Sequence, residues 1–211
     1  MVAISIDYRL AQPDLGATGL SPVECVDDAC EAFRWARAHS KDLGIDPPRV
    51  AGYRVSAGGH LVACTALLPT VMGRKLDWRS RPDAGLLFCP APDMKHAPFF
   101  DRIMQGHDIP GVYSPSAFLS KHLPPTLIVE GDRDTLVLPQ DAVAFRDREV
   151  RLGANCQLVM YPVVGHLLTR NLAVQDKNFH PDPNDTAEAA AREHSFLKGL
   201  GFEGAYDPVW N

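Results

Sequence analysis

The chain has 211 residues, 45% of them apolar and 22% charged, with a formal net charge of −5. That length supports one domain with a sizeable core, and the mild acidity argues against a nucleic-acid groove or an anionic membrane surface as partner. The sequence has no basic patch interleaved with aromatics and no apolar run of membrane-spanning length.

In chain order, residues 2–6 are rich in β-branched side chains and predict a buried strand, not a signal peptide. Residues 10–20 carry Pro13, Gly16 and Gly19 and predict a loop. Ser21, Pro22 and Glu24 are a helix start, with a capping serine, a first-turn proline and a glutamate three residues after the cap. Val26, Ala29, Cys30 and Phe33 then repeat at helical spacing, and Gly44 marks the end. Asp46-Pro47-Pro48 turns the chain into a strand over 49–53, and a helix follows over 60–68. A mostly polar connection, 69–82, leads to a buried strand over 84–89.

Residues 90–122 form a long insertion with scattered aromatics, a candidate lid or pocket wall. The clearest strand is 126–130, followed by a helix over 140–151 and a strand over 157–161. Residues 171–184 read as irregular and extended over the surface. Asp185 with Glu188 suggests a second capping box, opening a helix that ends near 199–201. Strands alternate with helices throughout, which predicts an α/β fold with a mostly parallel sheet flanked by helices, in a single domain over 1–211. The five cysteines (Cys25, Cys30, Cys64, Cys89 and Cys156) are odd in number and form no Cys-x-x-Cys pair. A reduced, cytoplasmic setting is the expectation, without a structural zinc.

The stretch Arg54-Val55-Ser56-Ala57-Gly58-Gly59-His60 joins an apolar strand to a helix. A serine on such a sharp turn matches the Gly-x-Ser-x-Gly nucleophile elbow. Small flanking residues let strand and helix pass closely, and the helix N-terminus aims free N–H groups at a developing oxyanion. Gly58 and Gly59 meet the downstream requirement. Arg54 occupies the upstream glycine position, which predicts crowding and a displaced Ser56, relieved by Arg54→Gly. The alternative is that Ser56 only caps the helix. A serine nucleophile needs a base, and the base an orienting carboxylate. Asp134 follows the strand at 126–130, with Asp132 competing for the role, and His166 follows the strand at 157–161. The chain order Ser56, Asp134, His166 fits α/β-hydrolases. His60 falls in the first helical turn beside the serine and is not expected to act as a catalyst.

On these pieces, together with Asp7-Tyr8-Arg9-Leu10-Ala11, Ser56-Ala57-Gly58-Gly59-His60-Leu61, Pro124-Pro125-Thr126-Leu127-Ile128 and Tyr161-Pro162, the chain resembles the hormone-sensitive-lipase-like esterase group of α/β-hydrolases, which includes small acetyl esterases. The resemblance implies Ser56 as nucleophile, Asp134 as orienter, His166 as general base and the Ala57 backbone N–H as an oxyanion donor. The implied reaction is hydrolysis of a small-molecule ester through an acyl-enzyme, with no cofactor or metal. One departure is large. The family's His-Gly-Gly oxyanion loop and its strand lie upstream of the Asp-Tyr-Arg strand, so the N-terminal strands are missing from this sequence. Either the sheet closes up, another chain fills the gap as in a homo-oligomer, or the sequence is part of a longer protein. The competing functional reading is a non-catalytic ligand-binding protein of the same fold. A peptidase of related fold is a more distant third.

Overall fold

The computed structural model describes residues 1–10, 19–94 and 113–202. Helix α1, Pro22–Ala38, starts at the capping box: the Ser21 side chain accepts from the Val23 N–H, and Glu24 reaches back to the Ser21 N–H at 2.9 Å. It breaks at His39, and a short helix α2, Ser40–Leu43, completes the run to Gly44, whose left-handed φ of 63° ends it. Strand β1 is Ala51–Val55, and helix α3 is Ser56–Leu67. The helix therefore begins at the elbow serine itself, four residues earlier than its apolar pattern suggests.

The polar connection after α3 is more ordered than expected. It holds a two-residue hairpin of β2, Thr70–Val71, and β3, Arg74–Lys75, and a single turn at Trp78–Ser80. Strand β4 is Ala84–Phe88, β5 is Thr126–Gly131, helix α4 is Pro139–Arg151, β6 is Cys156–Tyr161 and helix α5 is Pro183–Gly199. The cap of α5 is Asp182, not Asp185. Asp182 accepts from the Asn184 and Asp185 N–H groups at 3.0 Å each, and Pro183 fills the first helical position, where its fixed φ and missing N–H cost nothing. Of the candidate lid over 90–122, residues 95–112 lie outside the described residues, and the rest includes a turn at Pro115–Ala117.

The main sheet has the order β1-β4-β5-β6, with every pair parallel. Helices α3 and α4 cover one face, where Val62, Ala66, Leu87, Ile128 and Phe145 form one cluster. Helix α5 covers the other, with Leu197 against Leu86 and Leu127. Helix α1 packs on α3 through Val26, Cys30, Leu61 and Cys64. The register aligns Val55 with Phe88, Phe88 with Val129, and Gly131 with Tyr161. The C-terminal ends of all four strands thus form one row, and the loops leaving them converge. No described helix is long and apolar enough to cross a membrane.

The expectation of a strand over 2–6 fails. Residues 1–10 form no strand, and their aliphatic side chains stand out, from 36% exposed at Ile6 to 69% at Leu10. A strand persists only where a neighbour takes up its ladder of N–H and C=O groups. Among the described residues none pairs with this segment, and β1 is an edge of the sheet. The segment is held instead at Arg9, whose backbone N–H and guanidinium both donate to the Asp28 carboxylate.

Candidate active site

Ser56 sits at the junction of β1 and α3 with φ at +50°. A non-glycine residue there is strained, and such strain collects where the surrounding structure holds a side chain in a special place. Four other non-glycine residues with positive φ also lie in the loops at this end of the sheet: Cys89 after β4, and Val163, Leu167 and Leu168 after β6. Strain is thus concentrated in the loops beyond the strand ends.

Three of the residues singled out from sequence meet there. The His166 Nε2 lies 2.9 Å from the Ser56 Oγ. The His166 Nδ1 lies 2.6 Å from the Asp134 Oδ2. With the carboxylate as acceptor, Nδ1 carries the proton, and Nε2 is free to accept from the serine hydroxyl. The second Asp134 oxygen accepts from the Leu136 and Val137 N–H groups at 2.8 and 3.0 Å, which fixes the carboxylate in its plane. Asp134 and His166 are both buried, whereas Ser56 is half-buried and open to a small molecule. Asp132 takes another part. Its Oδ1 accepts from the Val163 N–H at 2.7 Å and so ties the two loops together from outside.

Arg54 does not displace Ser56. The residue that makes room is Gly58, where a Cβ would stand 1.9 Å from the Arg54 Cγ. The stem of Arg54 lies across the bare first turn of α3, with the residue exposed. Gly59 permits the other close approach, since a Cβ there would meet Pro90 at 3.1 Å and the Arg54 carbonyl at 3.3 Å. Ala57 follows the serine in the first turn of α3, exposed, and the first N–H groups of a helix have no partner within it. His60 stays out of this line. It is buried, with its Nδ1 2.9 Å from the Ala91 carbonyl oxygen, and burial pushes it down to about 4, so it is neutral at ordinary pH.

Sequence reasoning missed what lies behind the triad-like row. Glu130, at the end of β5, is fully buried, and its Oε1 accepts from the Gly131 N–H at 3.0 Å. Burial first, then the charge of Asp134, pushes its carboxyl well above the usual range, which favours the neutral acid. A charged residue closing an apolar strand just before Gly-Asp is the signal that points to it. Cys89 is also buried, and burial raises its thiol well above the usual range. Ligand atoms of Cys89, Asp134 and His166 lie within 4.8 Å of one another, the one such group among the described residues. Asp134 and His166 are already engaged with each other, and the thiol is held protonated, so the donor set favours a hydrogen-bonded row over a cation. All five cysteines are buried and free. Phe179 stands edge-on to the His166 ring at 5.8 Å between centroids. Gln175, buried, contacts both loops. These two come from the segment expected to be extended over the surface, which instead folds back through a turn at Leu172–Val174 and a bridge between Thr169 and Pro181.

Comparison with known proteins agrees with this fold. Residues 1–108 match a family model described as the alpha/beta hydrolase fold. An arylesterase of Saccharolobus solfataricus is 45% identical over 65 residues, 31% of this chain and 19% of the relative. Carboxylesterase NlhH of Mycobacterium tuberculosis is 31% identical over 144 residues, 65% of this chain and 43% of the relative. The matched part is therefore less than half the length of either curated relative. Among solved structures, Thermogutta terrifontis esterase 2 phosphonylated by sarin superposes with a TM-score of 0.79 at 25% identity, over 95% of this chain and 73% of the other.

Proposed function

This chain belongs to the alpha/beta hydrolase fold family, and on that premise we propose that it is a serine carboxylesterase acting on small acyl esters through an acyl-enzyme. One observation carries the reading: the unbroken row from the Ser56 hydroxyl through His166 to Asp134, at 2.9 and 2.6 Å, starting from a strained elbow. Ser56 is the nucleophile. His166 Nε2 takes the hydroxyl proton as Oγ attacks the ester carbonyl, and Asp134 holds the tautomer and stabilises the imidazolium. The Ala57 N–H, at the positive end of α3, donates to the oxyanion. As the tetrahedral intermediate collapses, the C–O bond breaks and the imidazolium returns its proton to the leaving alcohol. Water then repeats the sequence on the acyl-serine and releases the acid. No cofactor or metal enters these steps.

The sarin adduct of the structural neighbour and the esterase names of the curated relatives support this chemistry. Five free, buried cysteines support a reducing, cytoplasmic setting. One sheet with hydrophobic clusters on both faces supports a single domain, and the edge of β1, unpaired among the described residues, supports self-association, which sedimentation would read directly.

The test is labelling with a fluorophosphonate, mapped by peptide mass spectrometry, alongside hydrolysis of short-chain p-nitrophenyl esters. The expected result is an adduct on Ser56 that is lost in His166→Ala, and saturable turnover that is lost in Ser56→Ala. A folded protein that neither labels nor turns over esters would overturn the reading in favour of a ligand-binding protein of this fold.

A further inference from the structure

Gln175 is 3% exposed, and its amide makes four hydrogen bonds. Oε1 accepts from the His166 N–H at 2.9 Å and the Thr135 N–H at 3.1 Å. Nε2 donates to the Arg133 carbonyl at 3.1 Å and the Leu172 carbonyl at 3.3 Å. Two N–H donors face one end and two carbonyls the other, so the partners alone fix which end is oxygen. Three of the four partners flank or belong to the row at the strand ends: Arg133 and Thr135 stand on either side of Asp134, and the third is His166 itself. Those residues leave different strands, β5 and β6. One side chain from a third segment thus fixes the two loops to each other. Gly165 leaves room for it, since a Cβ there would stand 2.5 Å from Oε1.

We propose that Gln175 is a positioning residue that sets the distance and angle between His166 and Asp134 by clamping their two loops. The inference rests on the esterase reading for its catalytic consequence, not for its geometry. Only a group with an acceptor at one end and a donor at the other satisfies all four partners. Glutamate keeps the acceptor, but its second oxygen then faces two carbonyl oxygens. That arrangement repels when the carboxylate is ionised, whereas the protonated acid donates its one O–H to one of the two carbonyls. The titratable and charged groups around position 175 are His166 and Asp134 on the packed loops, Arg133 beside Asp132, and Asp176 and Lys177 on its own segment. All of them are present in wild type, so a limb that appears only in Gln175→Glu belongs to the new carboxyl.

The experiment compares wild type, Gln175→Ala and Gln175→Glu. Ester turnover is measured against pH, together with the downfield proton signal of His166 Nδ1–H. Gln175→Ala is expected to lose kcat about 100-fold with KM little changed, because a misplaced base slows the chemical step rather than binding. Gln175→Glu is expected to approach wild type in mild acid and to lose activity as pH rises, an added alkaline limb. The downfield proton is expected to be lost or shifted in Gln175→Ala. A folded Gln175→Ala with kcat within about threefold of wild type, or a Gln175→Glu profile parallel to wild type, overturns the proposal. If Gln175→Ala does not fold, Gln175→Glu in acid and alkali decides alone. If wild type shows no turnover, the esterase reading fails, and the proton signal still decides this inference: unchanged in either variant, it overturns it.

Discussion

The row at the strand ends is assembled from two halves built in opposite ways. The half carrying Asp134 and His166 is closed by polar contacts. Asp134 accepts two backbone N–H groups, Asp132 reaches across to the Val163 N–H, and Gln175 spans both loops. Its glycines admit close neighbours: a Cβ at Gly131 would stand 2.6 Å from the carbonyl oxygens of Val164 and Gly165, and one at Gly165 would stand 2.5 Å from the Gln175 Oε1. The half carrying Ser56 rests on the pairing of β1 with β4, the buried contact of His60 with the Ala91 carbonyl, and close helix packing. Strand β1 has a neighbour on one side, β4, and among the described residues nothing pairs with its other edge. Residues 1–10 do not join it, and Arg54 lies over a bare helical turn. The lesson is that a hydrogen-bonded clamp positions the base and acid, whereas strain and close helix packing position the nucleophile.

The largest expected effect separates the two aspartates of the clamped half. Asp134→Asn should cut kcat/KM by about 10³–10⁴, because the amide cannot hold the imidazole tautomer or balance its charge. Asp132→Asn, which keeps an oxygen able to accept from the Val163 N–H, should stay within about threefold. Equal losses would break the assignment.

The two halves should also differ in the sign of their pH dependence. Burial pushes the Glu149 carboxyl, on α4 under β6, up to about 7. An acid raised in the folded state keeps its proton there while the unfolded chain releases it, so stability falls as pH rises from the ordinary glutamate range through about 7. His60, on α3, is pushed down to about 4 and opposes acid: its contribution is lost as pH falls from the ordinary histidine range toward that value. Each effect amounts to at most about 3 kcal/mol. Glu149→Gln should remove the fall in stability as pH rises from the glutamate range to about 7, and His60→Asn the loss as pH falls toward about 4, read from denaturant midpoints across pH. Identical slopes in both variants would break the contrast.

A smaller effect tests the tightness of the clamp. Gly131→Ala forces a methyl group onto two carbonyl oxygens and should cost about 2 kcal/mol of stability. The smallest tests the looseness of the other half. Gly58→Ala alone meets the Arg54 stem. Because that side chain is exposed and flexible, the conflict with Arg54 should amount to about 1 kcal/mol, measured as coupling in a cycle with Arg54→Gly. Additive behaviour would mean that Arg54 does not depend on the glycine.

Much of this was legible in the chain. The parallel sheet follows from the alternation of apolar runs with capped helices, and Ser21, Pro22 and Glu24 announced α1 because a cap is a local hydrogen-bond pattern. Ser56, Asp134 and His166 were found because strand-end loops in an open α/β sheet face one crevice. Gln175 carried no local signal, since its four partners lie as far as 42 residues away in sequence. Its segment looked like surface because it is polar, yet a polar side chain is buried without penalty when every donor and acceptor is met.

Residues 2–6 failed in the opposite direction. Alternation and β-branching supply a strand's side chains, but a strand exists only through a partner's backbone, which local sequence does not contain. Arg54 shows the same division. Local sequence shows no more than a long cation at a position that expects none. The space across Gly58 that receives it belongs to the fold. What the sequence determined by itself was whatever depends on neighbours along the chain: caps, periods, turns and the order of the three chemical groups. What only the tertiary structure decided was pairing across gaps, burial of polar groups and room for misfit side chains, because each is a balance struck between segments that meet only after folding.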